Sequence, residues 1–230
     1  MRALLLAAGY GKRLRPLTNS IPKCLVPIKG RPLLEIWLER LTEAGVNTFI
    51  INTHYLASTV EAFIKKSPHR DRVTLINEPR LSGTAGTLIK NISFFQGEDG
   101  LLIHADNYCL ANIEEFLNSH ANRPKECVMT MMTFRADNPS GCGVVVVNNK
   151  SIVARFYEKV KDPPGNLANG AVYALSADLI KEIGEKHKYA KDFSTEIVGQ
   201  YAGKIFSHET LETFIDIGTI EAYEKANALT

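Results

Sequence analysis

The chain has 230 residues, 45% of them hydrophobic, with 27 basic and 25 acidic side chains and a net charge of +2. That supplies a core for one large domain or two small ones, and the interspersed charges exclude broad attraction to nucleic acid or a membrane surface. Cys24, Cys109, Cys127 and Cys142 show no C-x-x-C spacing, which suits reduced thiols better than a disulfide framework. No apolar run reaches the ~18 residues of a membrane span, and the short Leu/Ala run after Arg2 empties into a basic loop rather than a cleavage site. The expected location is the cytoplasm.

In chain order, strand and helix patterns alternate. Residues 2–7 form a continuous apolar run, the pattern of a buried strand. Pro32 opens a helix whose stripe is Leu33, Leu34, Ile36, Trp37, Leu38 and Leu41, and Gly45 ends it. Residues 48–51 predict a second buried strand, 57–66 a helix with Val60, Phe63 and Ile64 inward, 73–76 a third strand and 86–91 part of a helix. Residues 101–104 predict a fourth strand, followed by a helix over Ile113, Phe116 and Leu117. This alternation predicts an α/β fold, a Rossmann-like doubly wound, mostly parallel sheet flanked by helices.

The second half is richer in strands, predicted at 127–134, 143–147, 153–157 and 171–175, with helices returning at 177–184, 194–201 and 219–227. There is no internal repeat and no Gly/Ser linker. The expectation is therefore one domain over 1–230, with a nucleotide-binding half at 1–125 and a sugar-phosphate-binding half at 126–230. Ligands of such sheets sit at the carboxyl ends of strands.

The first strand runs into Gly9-Tyr10-Gly11, then Lys12, Arg13 and Arg15, then Pro22-Lys23. Glycines let backbone N–H groups approach phosphate oxygens, and the cations neutralise them, so this stretch fits a polyphosphate. It is not the dinucleotide fingerprint, because Leu14 occupies the third glycine position and no acid follows the second strand. It is not a P-loop either, since one residue rather than four separates its glycines. A basic surface loop is the alternative for the loop alone.

Residues 5–18 (LLAAGYGKRLRPLT) with 22–27 (PKCLVP) resemble the signature of sugar-1-phosphate nucleotidyltransferases. Five further segments resemble that family's motifs in its order: 81–86 (LSGTAG), His104-Ala105-Asp106, Glu158-Lys159, 169–173 (NGAVY) and 214–218 (FIDIG). The departures are Lys12, where many members have Thr or Ser, and Ala105 in place of Gly. The segments 156–160 and 214–218 most resemble the short guanylyltransferases for heptose- or mannose-1-phosphate.

The resemblance implies transfer of a nucleotidyl group from an NTP to a sugar 1-phosphate with Mg²⁺. Nucleotide binding would fall to Leu6, Ala7, Ala8, Gly9, Gly11, Arg13, Lys23, Glu78, Gly83, Thr84 and Asp106. The sugar phosphate would fall to Gly143, Glu158, Lys159, Asn169 and Asp216, and the metal to Asp106 and Asp216. Arg13 would hold the triphosphate and Lys23 would stabilise the transferred phosphorus. Lys159 would hold the acceptor phosphate, Glu158 and Asn169 the sugar hydroxyls, with the Gly143 backbone against the sugar. The chemistry is consistent: two anions must be neutralised and aligned, and Mg²⁺ binds through one or two carboxylates plus phosphate oxygens. For Asp106 the alternative is a helix cap, because a helix is predicted after it.

Glu78 stands where such folds meet the base edge. A carboxylate only accepts hydrogen bonds; guanine offers N1–H and N2–H, whereas uracil and thymine offer N3–H alone, which favours GTP. A solvated strand-end residue is the alternative for Glu78, and uridylyl or thymidylyl transfer the alternative for the reaction. A sensor without catalysis would be free to drop Lys23, Asp106 or Asp216, and all three are present. His54, His104 and His208 form no metal spacing and are expected to be structural. With the sequence ending soon after Asp216, no C-terminal repeat domain and a single activity are expected. The expected partners are the two small substrates, with no nucleic acid or membrane; the sequence does not specify an oligomer.

Overall fold

The structure is a computed structural model that describes residues 1–229. Its first half contains β1 (Arg2–Leu6), β2 (Pro27–Ile28), β3 (Arg31–Pro32), α1 (Leu33–Glu43), β4 (Phe49–Thr53), α2 (Ala57–Lys66), β5 (Val73–Asn77), α3 (Thr84–Lys90), β6 (Gly100–His104), β7 (Asn107–Cys109) and α4 (Ile113–Ala121). The second contains β8 (Met129–Arg135), β9 (Gly143–Val147), β10 (Val153–Glu158), β11 (Leu167–Leu175), α5 (Ala177–Lys186), α6 (Phe193–Glu196), β12 (Ile205–Glu209), β13 (Phe214–Asp216) and α7 (Ile220–Ala228). By internal contacts the chain divides into two compact units. The first comprises Arg2–Leu81, Ile103–Ala111 and the chain from Glu212; the second comprises Ser82–Leu102 and Asn112–Leu211. The units interleave in sequence, and their boundaries are not the 125/126 division drawn between ligand-binding halves.

In the first unit β1, β4 and β5 pair in parallel, with Leu6 opposite Asn52 and Asn52 opposite Ile76. Ala105 N donates to Leu6 O (3.1 Å), so the end of β6 lies beside the end of β1. Ala3, Leu4, Leu5, Phe49 and Ile51 are fully buried, which explains strands that are continuously apolar rather than alternating. Helix α1 buries Leu33, Leu34, Ile36, Trp37, Leu38 and Leu41, the predicted stripe, each large side chain contributing about 1.5–3 kcal/mol. Two ribbons complete the unit: β2 with β3, and β7 antiparallel to β13, with Asn107 opposite Asp216.

In the second unit β11 pairs antiparallel with β8 and β9, β9 pairs antiparallel with β10, and β8 pairs in parallel with β12. The strand predicted at 171–175 starts earlier, at Leu167, and its pairing with β8 is irregular between Asn169 and Tyr173. The helix predicted at 194–201 is two short turns, α6 and a 3-10 turn at Val198–Tyr201. Phe193, Ile197, Val198 and Tyr201 are all buried, a helical spacing that two successive turns satisfy equally well. Gly199 removes local support for one continuous helix. The short strands β7 and β12 had no sequence signal.

His120 on α4 is 1% exposed. Its Nδ1 pairs with Thr130 Oγ1 (2.9 Å), and its Nε2 lies 3.3 Å from Asp99 Oδ2. Burial, with Arg123 nearby, pushes its pKa down to about 4 against the opposing pull of Asp99. A neutral imidazole that must charge on unfolding favours the unfolded state once pH falls below about 6.5. The stabilisation is complete above that pH and is lost progressively towards pH 4. Denaturant unfolding at pH 7 and pH 4.5 is expected to show roughly 2 kcal/mol more loss in the unaltered chain than in His120→Gln. Superimposable pH slopes for the two proteins would contradict the assignment.

Candidate functional site

The first unit assembles a charged cavity where β1 ends. Ala7 and Ala8 are buried, and Gly11 begins a 3-10 turn at Lys12–Leu14. Gly11 has φ +61, and a Cβ there would lie 3.0 Å from Thr18 Cγ2 and 3.2 Å from Lys23 Cβ, so the position requires glycine. Thr18 Oγ1 donates to Gly11 O (2.8 Å) and holds the loop closed. Beneath it Leu14, Val26, Ile28, Leu33, Tyr108 and Ile217 form one apolar cluster. That floor keeps the neighbouring polar side chains directed outwards.

Lys23 follows Pro22 and is 8% exposed. Its ammonium is 2.7 Å from Asp106 Oδ2 and 3.5 Å from Asp216 Oδ1. The β7–β13 ribbon brings these carboxylates together from segments about a hundred residues apart in sequence. Trp37 Nε1 donates to Asn107 O (2.9 Å) and Arg40 to the carbonyls of Leu110 and Ala111, so α1 fixes the ribbon. Asp106 precedes β7 rather than a helix, and the cap of α4 is Asn112, accepting from Glu115 N. Helix capping is thereby removed as an account of Asp106.

Burial alone would lower the Lys23 pKa, but Asp106 and then Asp216 outweigh it and hold it above the usual lysine value. Burial likewise opposes ionisation of Asp106, and Lys23, with His104, overrides it, holding the carboxyl below its usual value. Both groups are therefore charged at neutral pH.

Gly9, Gly11, Lys12, Arg13, Lys23, Asp106 and Gly218 line a cavity of about 220 Å³. Arg13 is exposed and lies over Gly218: a Cβ there would be 3.0 Å from an Arg13 guanidinium nitrogen and 3.0 Å from Asp216 Oδ2. Three cations thus face two carboxylates around one strand end, an arrangement that can hold a polyphosphate. The two carboxylates are oxygen donors of the kind a hard divalent cation takes, gathered on either side of the Lys23 ammonium. No cluster of three or more metal-ligating side chains occurs among the described residues, so ligand or water oxygens would have to complete a coordination shell.

Glu78 follows β5 and is 7% exposed, which removes the solvated strand-end reading. Asn52 Nδ2 donates to its Oε1 (3.3 Å), and Asn52 Oδ1 accepts from Ala7 N (2.8 Å). His54, expected to be structural, bonds to Glu78 O through Nδ1 (2.7 Å) and to the Tyr10 hydroxyl through Nε2 (2.9 Å). His208 pairs with Ser119 (2.8 Å) in the second unit.

The remaining predicted residues lie in the second unit. Glu158 is opposite Gly143 in the β10–β9 pairing. A Cβ at Gly143 would lie 2.7 Å from Glu158 Oε2 and from the Phe156 ring. Gly143 is therefore glycine at least to admit these two side chains, which lie against its open face. Glu158 Oε2 is buried without a hydrogen-bond partner, so it is an acceptor available to a ligand hydroxyl. Lys159, at φ +49, has an exposed ammonium 3.4 Å from Glu158 Oε1.

Asn169 is engaged within the protein. Its Nδ2 donates to Tyr173 (2.7 Å) and Ser194 (3.2 Å), and its Oδ1 accepts from Ala171 N (2.9 Å). One amide hydrogen is held within β11 and the other by α6, so a sugar hydroxyl would find only acceptor capacity there. Thr84 Oγ1 accepts from Phe193 N (2.7 Å), and Gly83, at φ +80, passes so close to Lys191 that a Cβ would lie 2.2 Å from its carbonyl oxygen. The loop at 82–85 is thus fastened to 191–193.

Sequence reading missed Lys12 and Gly218 as cavity residues and Asn52 as the partner of Glu78. Lys12 was visible in the basic cluster, and Gly218 within the segment 214–218. Asn52 had no sequence signal beyond a polar residue ending an apolar strand.

A family model described as "Nucleotidyl transferase" matches residues 2–230. The catalytic subunit beta of mannose-1-phosphate guanylyltransferase from Xenopus tropicalis is 32% identical over 225 residues, covering 95% of this chain and 61% of that protein. The chain spans about three fifths of the length of the curated relatives it matches. The crystal structure of HddC from Yersinia pseudotuberculosis complexed with GMP-PN superposes with a TM-score of 0.81 at 26% identity, covering 98% of this chain and 97% of that one. A Bacillus anthracis structure, 20% identical, shares the fold with a TM-score of 0.87 and covers 99% of this chain and 94% of that one. The mixed, mostly parallel sheet flanked by helices is the architecture of these neighbours. With a family match across almost its whole length and the loop, carboxylate pair and fold in agreement, the chain belongs to the nucleotidyl transferase family.

Proposed function

We propose that this protein transfers a guanylyl group from GTP to a sugar 1-phosphate, mannose- or heptose-1-phosphate, releasing pyrophosphate. The observation that carries the reading is Lys23, buried between Asp106 and Asp216 at the wall of a cavity that also holds Arg13 and Lys12. The sugar-phosphate oxygen attacks the α-phosphorus while the bond to the bridging β-phosphate oxygen breaks, and pyrophosphate carries away the negative charge. Arg13 and Lys12 hold the leaving phosphates, Arg by paired N–H contacts and Lys as a point charge. The Lys23 ammonium stabilises charge accumulating on the transferred phosphoryl oxygens.

Asp106 and Asp216 would hold Mg²⁺, which when bound supplies charge neutralisation at the phosphates. Glu158 accepts from a sugar hydroxyl and Lys159 pairs with the acceptor phosphate. Gly83 and Thr84 shape the base loop from behind, since the Thr84 hydroxyl is already bonded. A buried acceptor-only Glu78 favours guanine, and the relatives named for guanylyl transfer and the GMP-PN complex support the same base. No helix among the described residues is long and apolar enough to cross a membrane, which is consistent with the cytoplasmic location we propose.

The test is pyrophosphate release from all four NTPs and dTTP with a panel of sugar 1-phosphates. Release is expected only when NTP, Mg²⁺ and sugar 1-phosphate are all present, and to be greatest with GTP and mannose- or heptose-1-phosphate. A preference for UTP or dTTP would replace the guanylyl assignment, and silence across the panel would overturn the enzyme reading.

A further inference from the structure

We infer that Asn52 and His54 are positioning residues for base selection, which fix Glu78 in place relative to the phosphate-binding loop. The inference rests on the reading of Glu78 as the residue that meets the base. Strand β4 lies between β1, from which the phosphate loop departs, and β5, which delivers Glu78. Side chains two apart along an extended chain share a face, so the end of the middle strand can reach both neighbours with two side chains.

Both side chains make that bridge. Asn52 accepts from Ala7 N (2.8 Å) and donates to Glu78 Oε1 (3.3 Å). His54 donates from Nδ1 to Glu78 O (2.7 Å) and accepts at Nε2 from the Tyr10 hydroxyl (2.9 Å). Neither bridge can run backwards. The Ala7 N–H can only donate, so Asn52 must present its oxygen there and its amide hydrogens towards Glu78. The Glu78 carbonyl can only accept, so His54 carries a proton on Nδ1 towards it; in the neutral ring Nε2 is then the acceptor for the Tyr10 hydroxyl. The Glu78 side chain and main chain are thereby held by separate bonds, each tied to a different point of the loop.

The Tyr10 anchor is itself braced. Its ring meets the His54 ring edge-on at 5.4 Å and lies 5.5 Å from the Tyr55 ring, and the Tyr55 hydroxyl donates to Thr18 O (2.9 Å). Asn52 is 4% exposed and Glu78 7%, so water does not substitute for the Asn52 bonds, whereas the His54–Tyr10 bond lies at the surface. The base of a nucleotide whose triphosphate is seated on the loop therefore meets a carboxylate at a set distance and orientation. A base able to donate twice gains from that alignment, and a base with one donor gains little.

The test is equilibrium binding of GTP and of UTP by calorimetry to the full chain in one magnesium buffer, without sugar phosphate. The variants are Asn52→Leu, His54→Phe and Glu78→Gln, with thermal melting to verify folding. The first keeps volume and removes the Asn52 bonds to Ala7 and Glu78; the second keeps a ring on a half-buried residue, so that one readable variant remains if the first fails to fold. The GTP-to-UTP affinity ratio is expected to fall about tenfold in Asn52→Leu and a few-fold in His54→Phe, the scale of a lost hydrogen bond to a charged or carbonyl acceptor. If Glu78→Gln lowers the ratio but the folded positioning variants leave it unchanged, or lose affinity for both nucleotides equally, the relay is overturned and the reading of Glu78 stands. If Glu78→Gln leaves the ratio unchanged, the base reading falls and the relay falls with it.

Discussion

Lys23→Ala is expected to reduce kcat by about 10²–10³ while changing GTP affinity only a few-fold, because in the proposed function its ammonium acts on charge that develops during transfer. The geometry explains the asymmetry. In the structure its ammonium is held by Asp106 at 2.7 Å and Asp216 at 3.5 Å, so it is positioned before any ligand arrives. Arg13 and Lys12 are exposed at the same cavity, and in the proposed reading they take up the ground-state phosphates. Lys23→Met, which preserves most of the buried stem, should lose as much turnover as Lys23→Ala. Pre-steady-state turnover and nucleotide titration separate the two quantities. Equal losses in kcat and in affinity would move Lys23 into ground-state binding and remove its assigned role.

The second large effect is expected at the carboxylates. Asp106→Asn and Asp216→Asn should each lower activity on the order of a thousandfold, corresponding to several kcal/mol of lost charge stabilisation. Both should weaken Mn²⁺ binding measured by electron paramagnetic resonance in the presence of GTP, a readout independent of turnover. Asp106→Asn should have the larger effect, since its carboxylate is 34% exposed against 53% for Asp216 and is fixed by the shorter bond to Lys23. The pH dependence has a defined sign. The folded Asp106 pKa lies below its ordinary value, so its pair with Lys23 is complete at and above the usual carboxylate pKa and is lost as pH falls through the depressed value. Unchanged Mn²⁺ binding in both variants would refute the metal assignment.

Much of the fold was legible because the chain announces it locally. Ala3, Leu4 and Leu5 are apolar on both faces because both faces are covered, and α1 buries the stripe that its spacing marks. Helix α2 has the predicted limits, Ala57–Lys66. The failures share a cause. Strand β7 is three residues long and exists because Asn107 pairs with Asp216 on β13; its segment carries no extended pattern of its own. The spacing at 193–201 satisfied a helix and two short turns alike, and burial of Phe193 and Val198 does not discriminate between them.

The candidate site divides the same way. Glycines and cations crowded after one buried strand are a local composition, and they indicated a polyphosphate before any partner was known. Arg13, Lys23, Asp106 and Asp216 could each be named from their segments. The sequence by itself therefore determined the alternating fold, the glycine-containing basic loop after the first strand and the charged side chains it gathers. Only the tertiary structure decided that Lys23 sits between the two aspartates, that Gly218 underlies Arg13, that Gly143 makes room for Glu158, and that Asn52 and His54 join the loop to Glu78. The physical reason is range: helix and strand periodicity act between neighbours along the chain. A buried hydrogen bond or ion pair is satisfied by whatever group the sheet register brings within about 3 Å, however distant in sequence.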